Sequence, residues 1–137
     1  MRGRRLTAEA AKKLSLTVMS FGFKHGLPAD ADHVADMRFL PNPFWDESLR
    51  PFNGEDVQVS EFVLSQVGAQ EFITNYVDAL KPVVAGYMRE NKRYAMIAIG
   101  CTGGKHRSVA VVKRIAELLS ELDDVAVSVK HRDLGKE

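Results

Sequence analysis

The densest grouping of reactive side chains is the segment Ile99-Gly100-Cys101-Thr102-Gly103-Gly104-Lys105-His106-Arg107-Ser108. Gly103 and Gly104 let a backbone turn tightly and approach a ligand with no side chain in the way. The residues after them open a helix, whose first turn presents unpaired amides and the positive end of its dipole. Thr102 and Ser108 add hydroxyls, Lys105 and His106 add basic groups, and Arg107 supplies a planar fork that matches phosphate oxygens. That chemistry is oxyanion binding. A bare glycine turn joining a strand to a helix is the simpler alternative, and it leaves the crowding of Thr, Lys, His, Arg and Ser without a reason.

Other readings of the same letters are narrower. A Walker A loop requires Gly-Lys followed by Ser or Thr, and here Lys105 is followed by His106. One cysteine with dispersed histidines does not resemble a structural zinc site, so no metal and no cofactor is expected. Cys101, five residues, then Arg107 and Ser108 resembles the phosphate loop of cysteine-dependent phosphatases, in which a thiolate attacks phosphorus. The His that usually precedes that Cys is Gly100 here, and only Asp36 and Asp46 are conceivable as a general acid. A small buried residue at a strand end is the plainer reading of Cys101, and no enzymatic activity is expected.

The elements that must position this turn follow from periodicity. Leu16–Phe21 is a β-prone run stopped by Gly22. Ala35, Met37 and Phe39 alternate with charged residues over His33–Leu40, which Pro41-Asn42-Pro43 ends. Val59, Phe62, Val63 and Val67 share a helical face that Gly68 is expected to end. Phe72 to Met88 carries a longer helical stripe, with Pro82 predicting a kink or break near Leu80. Tyr94–Ile99 is an unbroken apolar run, suited to a strand covered by helices on both faces. Val109, Val112, Ile115, Leu119 and Leu122 mark another helix, and Val125, Val127 and Val129 a fourth strand. Strands interleaved with helices predict an α/β fold with a mainly parallel sheet of about four strands. The pairing of the first two strands stays open, because Gly22–Asp32 is short for a helical crossover.

In open α/β sheets ligands bind beyond the carboxyl ends of the strands. Basic residues follow all four candidate strands: Lys24 and His25, Arg38, Lys105-His106-Arg107, and Lys130-His131-Arg132. Solvated loop charges are the alternative for any one of them, while their joint placement favours an anion site.

Composition sets the bounds. The chain has 137 residues, 45% hydrophobic and 27% charged, which fits one globular domain rather than a disordered or fibrous chain. Residues 1–14 read as a polar lead-in or linker and 15–137 as the domain. A net charge of +1 excludes a uniformly basic nucleic-acid coat, though not a local patch. No run of 18 apolar residues is present, so no membrane partner is expected. With the single cysteine, Cys101, a reducing cytoplasm is the default.

Three segments, Ser20-Phe21-Gly22-Phe23-Lys24-His25-Gly26, Arg38-Phe39-Leu40-Pro41-Asn42-Pro43 and Gly100 to Ser108, occur together in order. The chain from about Leu16 to Arg132 thereby resembles the C-terminal domain of the RapZ family, the RNase adapter proteins also known as YvcJ-type nucleotide-binding proteins. Full-length members carry an N-terminal kinase-like domain with a Walker A loop, and this chain has no such segment. The resemblance implies a phosphofructokinase-like sugar-phosphate architecture that senses glucosamine-6-phosphate, self-associates as a homo-oligomer, and presents small RNA to an RNase. It implies Thr102, Gly103 and Arg107 as ligand contacts, with Gly104 and His106 beside them. Phe44 stands where one branch has a ligand-contacting His, so either the ligand differs or another donor such as His25 substitutes. The chain ends in Asp133-Leu134-Gly135-Lys136-Glu137 rather than a basic cluster, which weakens the RNA expectation for Lys24, Arg38, Lys105, Lys130 and Arg132.

Overall fold

In the computed structural model, which describes residues 14–136, four strands form one parallel sheet. In chain order the elements are β1 (Leu14–Gly22), β2 (His33–Asp36), α1 (Val57–Leu64), α2 (Ala69–Arg89), β3 (Tyr94–Cys101), α3 (Arg107–Leu119) and β4 (Val125–His131). Short 3-10 turns lie at Phe23–His25 and Pro43–Trp45. The expected α/β class with a parallel sheet is what the chain adopts.

The strand order is β2-β3-β1-β4. The first two strands therefore do not pair with each other, because β3 lies between them: Val18 is paired with Ile97, and His33 with that same residue from the other side. β1 is longer than expected and begins at Leu14, which is fully buried; this moves Leu14 out of the lead-in and into the core. The rest of that lead-in, residues 1–13, lies outside the described residues.

One face of the sheet carries all three α-helices. Leu14, Leu16 and Val18 from β1 and Ala95, Ile97 and Ile99 from β3 pack with α3, against which α1 and α2 are stacked. The opposite face has its own small cluster, Met19, Phe21 and Ala98, against which Met96 of β3 packs and over which Phe23 and Ala31, rather than a helix, are laid. Tyr94–Ile99 is thus buried on both faces only in part, since Tyr94 remains 46% exposed and the second covering layer is a loop.

α3 ends at Leu119, so Leu122 lies in the turn after it rather than in the helix, and three other features differ from the periodicity reading for local reasons. β2 stops at Asp36 rather than Leu40, because the Asp36 carboxylate accepts the Arg38 backbone N–H at 2.9 Å and curls the chain out of the sheet. α1 ends at Leu64, so Val67 is not on its buried face but fully exposed, and Gly68, at φ 89°, begins α2 instead of ending α1. α2 runs unbroken through Pro82. Pro82 and Asp78, whose carbonyl loses its partner there, are both on the solvent side, where a carbonyl freed from the helix ladder is not buried.

Candidate functional site

The carboxyl end of the sheet is where two glycine segments meet. Gly104 has φ 78°, and a Cβ there would lie 2.7 Å from the Gly22 nitrogen. A Cβ on Gly22 would in turn collide with the Gly103 backbone. Only glycine allows the end of β1 to press against the turn after β3. The backbone N–H groups of Gly103, Gly104, Lys105 and His106 make no backbone hydrogen bond among the described residues. They are the free donors that the opening of a helix is expected to offer.

A cavity of about 340 Å³ lies against this turn, lined by Lys24, Asn42, Phe44, Trp45, Cys101, Thr102, Gly103, Lys105, His106 and Arg107. Arg107 is the first residue of α3 and only 5% exposed. Its guanidinium donates to the Leu40 carbonyl at 2.9 Å, the Arg38 carbonyl at 3.3 Å and Thr102 Oγ1 at 3.2 Å. It thereby ties the segment after β2 to the glycine turn. Its Nε has no partner, and it forms no ion pair among the described residues.

His106 is also buried, with Nε2 at 3.3 Å from the Arg50 carbonyl. Burial pushes its pKa down, assisted by the charges of Lys105 and Arg107 and outweighing the hydrogen bond to Arg50, so it is neutral near pH 7. Lys24 and Lys105 form no ion pair among the described residues, and Lys24 reaches the turn through its backbone N–H on the Thr102 carbonyl.

Other singled-out residues are placed elsewhere. Ser108 is fully buried and turned inward: Cys101 Sγ donates to its Oγ at 3.2 Å and accepts its N–H at 3.4 Å. Arg38 is chelated by Asp36, with contacts of 2.7 to 3.1 Å, and lies over the Phe23 ring at 4.0 Å. Arg132 is held by Asp133 and by the Gly26 carbonyl at 2.6 Å. Lys130 and His131 fall inside β4 rather than after it. His131 Nδ1 meets Ser20 Oγ at 2.7 Å, with Nε2 toward Glu55, and burial holds its pKa down. His25 is half-buried, its Nε2 unpartnered, and it does not line the cavity. The basic groups after the four strands therefore do not form one surface.

Three contributors carried no expectation as site residues. Asn42 and Trp45 line the cavity, although Asn42-Pro43 reads as a strand terminator and as part of a family segment, not as a ligand contact. Asp133, fully buried, accepts the Gly22 N–H at 2.8 Å and is reached by Arg132 and by Lys136 at 3.1 Å. It fastens the end of β1 that the turn leans on. Burial alone would raise its pKa, but hydrogen bonds from Arg132, Gly22 and Lys136 hold it far below the usual carboxylate range. A lone acid inserted among basic residues after a strand was the available signal.

The family model of the RapZ C-terminal domain matches residues 14–135. The chain belongs to that family. Relatives agree: it is 68% identical over 122 residues to a nucleotide-binding protein of Clavibacter michiganensis, covering 89% of this chain and 42% of the relative. It is 62% identical over 129 residues to one of Leifsonia xyli, covering 94% and 44%. A nucleotide-binding protein of Mycobacteroides abscessus is 55% identical over 134 residues, covering 98% and 44%. The chain thus spans less than half the length of these curated relatives. Within the RapZ C-terminal domain family, the matched segment takes in the whole cavity lining. Among the described residues no helix is long and apolar enough to cross a membrane, and no group of three or more His, Cys, Asp or Glu is placed to hold a metal ion.

Proposed function

We propose that this chain is a regulatory binding domain for a phosphorylated small molecule of the sugar-phosphate class, with glucosamine-6-phosphate the ligand that the family resemblance implies. The phosphate is held by the amides of residues 103–106, the Thr102 hydroxyl, Lys105 and Arg107. The observation that carries this reading is Arg107, a nearly buried cation lining a cavity, with no carboxylate partner among the described residues and an Nε that finds no partner among them. A buried charge left unpaired is costly, and a bound dianion offsets that cost. The relatives' name, nucleotide-binding protein, describes chains of which this one spans under half, and it accords with a phosphate-bearing ligand.

The role is binding rather than catalysis. Among the described residues no carboxylate lines the cavity, and both conceivable general acids are held ionised: Asp36 by its hydrogen bond from Arg38, and Asp46 by that from Ser48. A carboxylate kept below its ordinary pKa has no proton to donate near neutrality. The RNA reading has thinner support, since Arg38 and Arg132 are occupied by Asp36 and Asp133.

Isothermal titration of the full chain with sugar 6-phosphates and inorganic phosphate tests the reading. Arg107→Ala should abolish binding, and Lys105→Ala, on the half-exposed rim, should weaken it by about tenfold. Absence of saturable heat with every phosphorylated probe refutes it.

A further inference from the structure

Apart from Lys24, the cavity is lined by two stretches of chain: the glycine turn with the start of α3, and the turn that carries Asn42, Phe44 and Trp45. One residue outside the lining touches both. Arg50 Nε donates to the Phe44 carbonyl at 2.7 Å, and its guanidinium carbon lies 4.7 Å from the centre of the Phe44 ring. The Arg50 carbonyl accepts from His106 Nε2 at 3.3 Å. The side chain thus holds one stretch and the backbone holds the other.

Arg50 is not an ordinary surface charge. It forms no ion pair among the described residues, although Asp46 stands four positions before it. Asp46 is taken instead by Ser48, whose N–H and hydroxyl donate to Oδ1 at 2.9 and 2.6 Å. The guanidinium is left with a carbonyl and a ring face, contacts that order a turn rather than neutralise a charge. That turn has need of them. Phe44 and Trp45 are 42% and 77% exposed, so core packing does little to orient their rings. Trp45 in turn leans on Phe44, with ring centroids 5.2 Å apart and planes at 86°. The backbone beneath Arg50 is fixed without the side chain: Leu49 is buried in the core, and the Arg50 N–H donates to the Asp46 carbonyl at 2.9 Å. Changing the Arg50 side chain therefore releases the aromatic turn and leaves the His106 contact in place.

Resting on the sugar-phosphate reading above, we propose that Arg50 is a positioning residue of this site. It acts through Phe44, and through Phe44 on Trp45, to set the aromatic wall against the sugar, while the glycine turn and Arg107 hold the phosphate. Arg50 itself does not line the cavity.

Trp45 is the only tryptophan in the chain, so fluorescence anisotropy reports directly on the freedom of this wall. The full chain, Arg50→Gln and Arg50→Lys are titrated with glucosamine 6-phosphate and with inorganic phosphate by calorimetry. Arg50→Gln should weaken the sugar phosphate by about tenfold, leave inorganic phosphate within about twofold, and lower the anisotropy of Trp45 in the ligand-free protein. Arg50→Lys, which keeps the charge and loses the planar fork, should recover only part of the sugar-phosphate affinity. Should Arg50→Gln fail to fold, Arg50→Lys carries the same comparison of the two probes. A loss shared equally by inorganic phosphate, or full recovery in Arg50→Lys, makes Arg50 a remote charge and overturns the proposal. Unchanged sugar-phosphate affinity or unchanged Trp45 anisotropy in Arg50→Gln overturns it as well, and each of these results leaves the phosphate site standing. Failure of both probes to bind the unaltered chain removes the phosphate site itself, and the role of Arg50 with it.

Discussion

Replacing Asp133 with Asn keeps the side chain's size and removes its charge, at a position where every contact depends on two accepting oxygens. Oδ2 takes the Gly22 N–H and Arg132 at 2.8 Å each, while Oδ1 takes Arg132 Nε at 3.0 Å and Lys136 at 3.1 Å. An amide offers one oxygen and one NH2, so whichever way it turns, two donors face a donor. Hydrogen bonds to a charged group contribute about 1.5–3 kcal/mol each. The Lys136 contact is discounted because that side chain is half exposed, and Arg132 keeps its carbonyl partner on Gly26. The amide turns its oxygen to the buried Gly22 N–H and its NH2 toward Arg132 Nε and Lys136, so a net loss of about 2–3 kcal/mol follows, most of it from the lost charge and the weakened bonds to Arg132. Urea unfolding followed by circular dichroism should show the midpoint falling by about 1–2 M with little change in slope. The pH dependence has a definite sign. The folded-state pKa is depressed, so the carboxylate's stabilisation is complete above the unfolded value of about 3.9 and is lost as pH falls through the folded value. The gap between wild type and Asp133→Asn should therefore be full at pH 7 and narrow only below about pH 4. A gap under about 1 kcal/mol at pH 7, or one that stays constant down to pH 3, refutes the assignment of Asp133 as the fastening of the β1 end.

Two further outcomes follow from the site. Gly104→Ala adds a Cβ at φ 78° within 2.7 Å of the Gly22 nitrogen, and should cost about 2–4 kcal/mol in thermal or urea unfolding; a neutral substitution would mean the two glycine segments do not touch. Cys101→Ser should leave sugar-phosphate affinity nearly unchanged and reveal no lost aryl-phosphate hydrolysis, because the Cys101 sulfur is buried and turned to Ser108; wild-type hydrolysis that disappears in the variant would make Cys101 a nucleophile.

What could be read along the chain was what depends on near neighbours. The strand–turn–helix from β3 into α3 was legible because a glycine pair, an apolar strand and an amphipathic helix each leave their mark within a few residues. The alternation of strand and helix likewise announced a parallel sheet. Boundaries failed where a single side chain overrode the pattern, as Asp36 does in ending β2 and the solvent position of Pro82 does in letting α2 continue.

Tertiary structure alone decided the rest. Periodicity reports which face of an element is buried but not which partner meets it, so the placement of β3 between β1 and β2 had no local trace. The fates of the basic residues were settled the same way. Arg107, Lys105 and Lys24 converge on one cavity, while Arg132 is captured by Asp133 and His131 by Ser20 across 111 positions of chain. Trp45 and Asn42 join a turn nearly sixty residues downstream because Arg107 binds the carbonyls of Arg38 and Leu40, while His106 meets the Arg50 carbonyl and the Gly54 N–H donates to the Lys105 carbonyl. Residue types along the chain thus marked the glycine turn as the candidate oxyanion cradle; the path of the backbone determined which charges line the cavity beside it and which rings stand at its mouth.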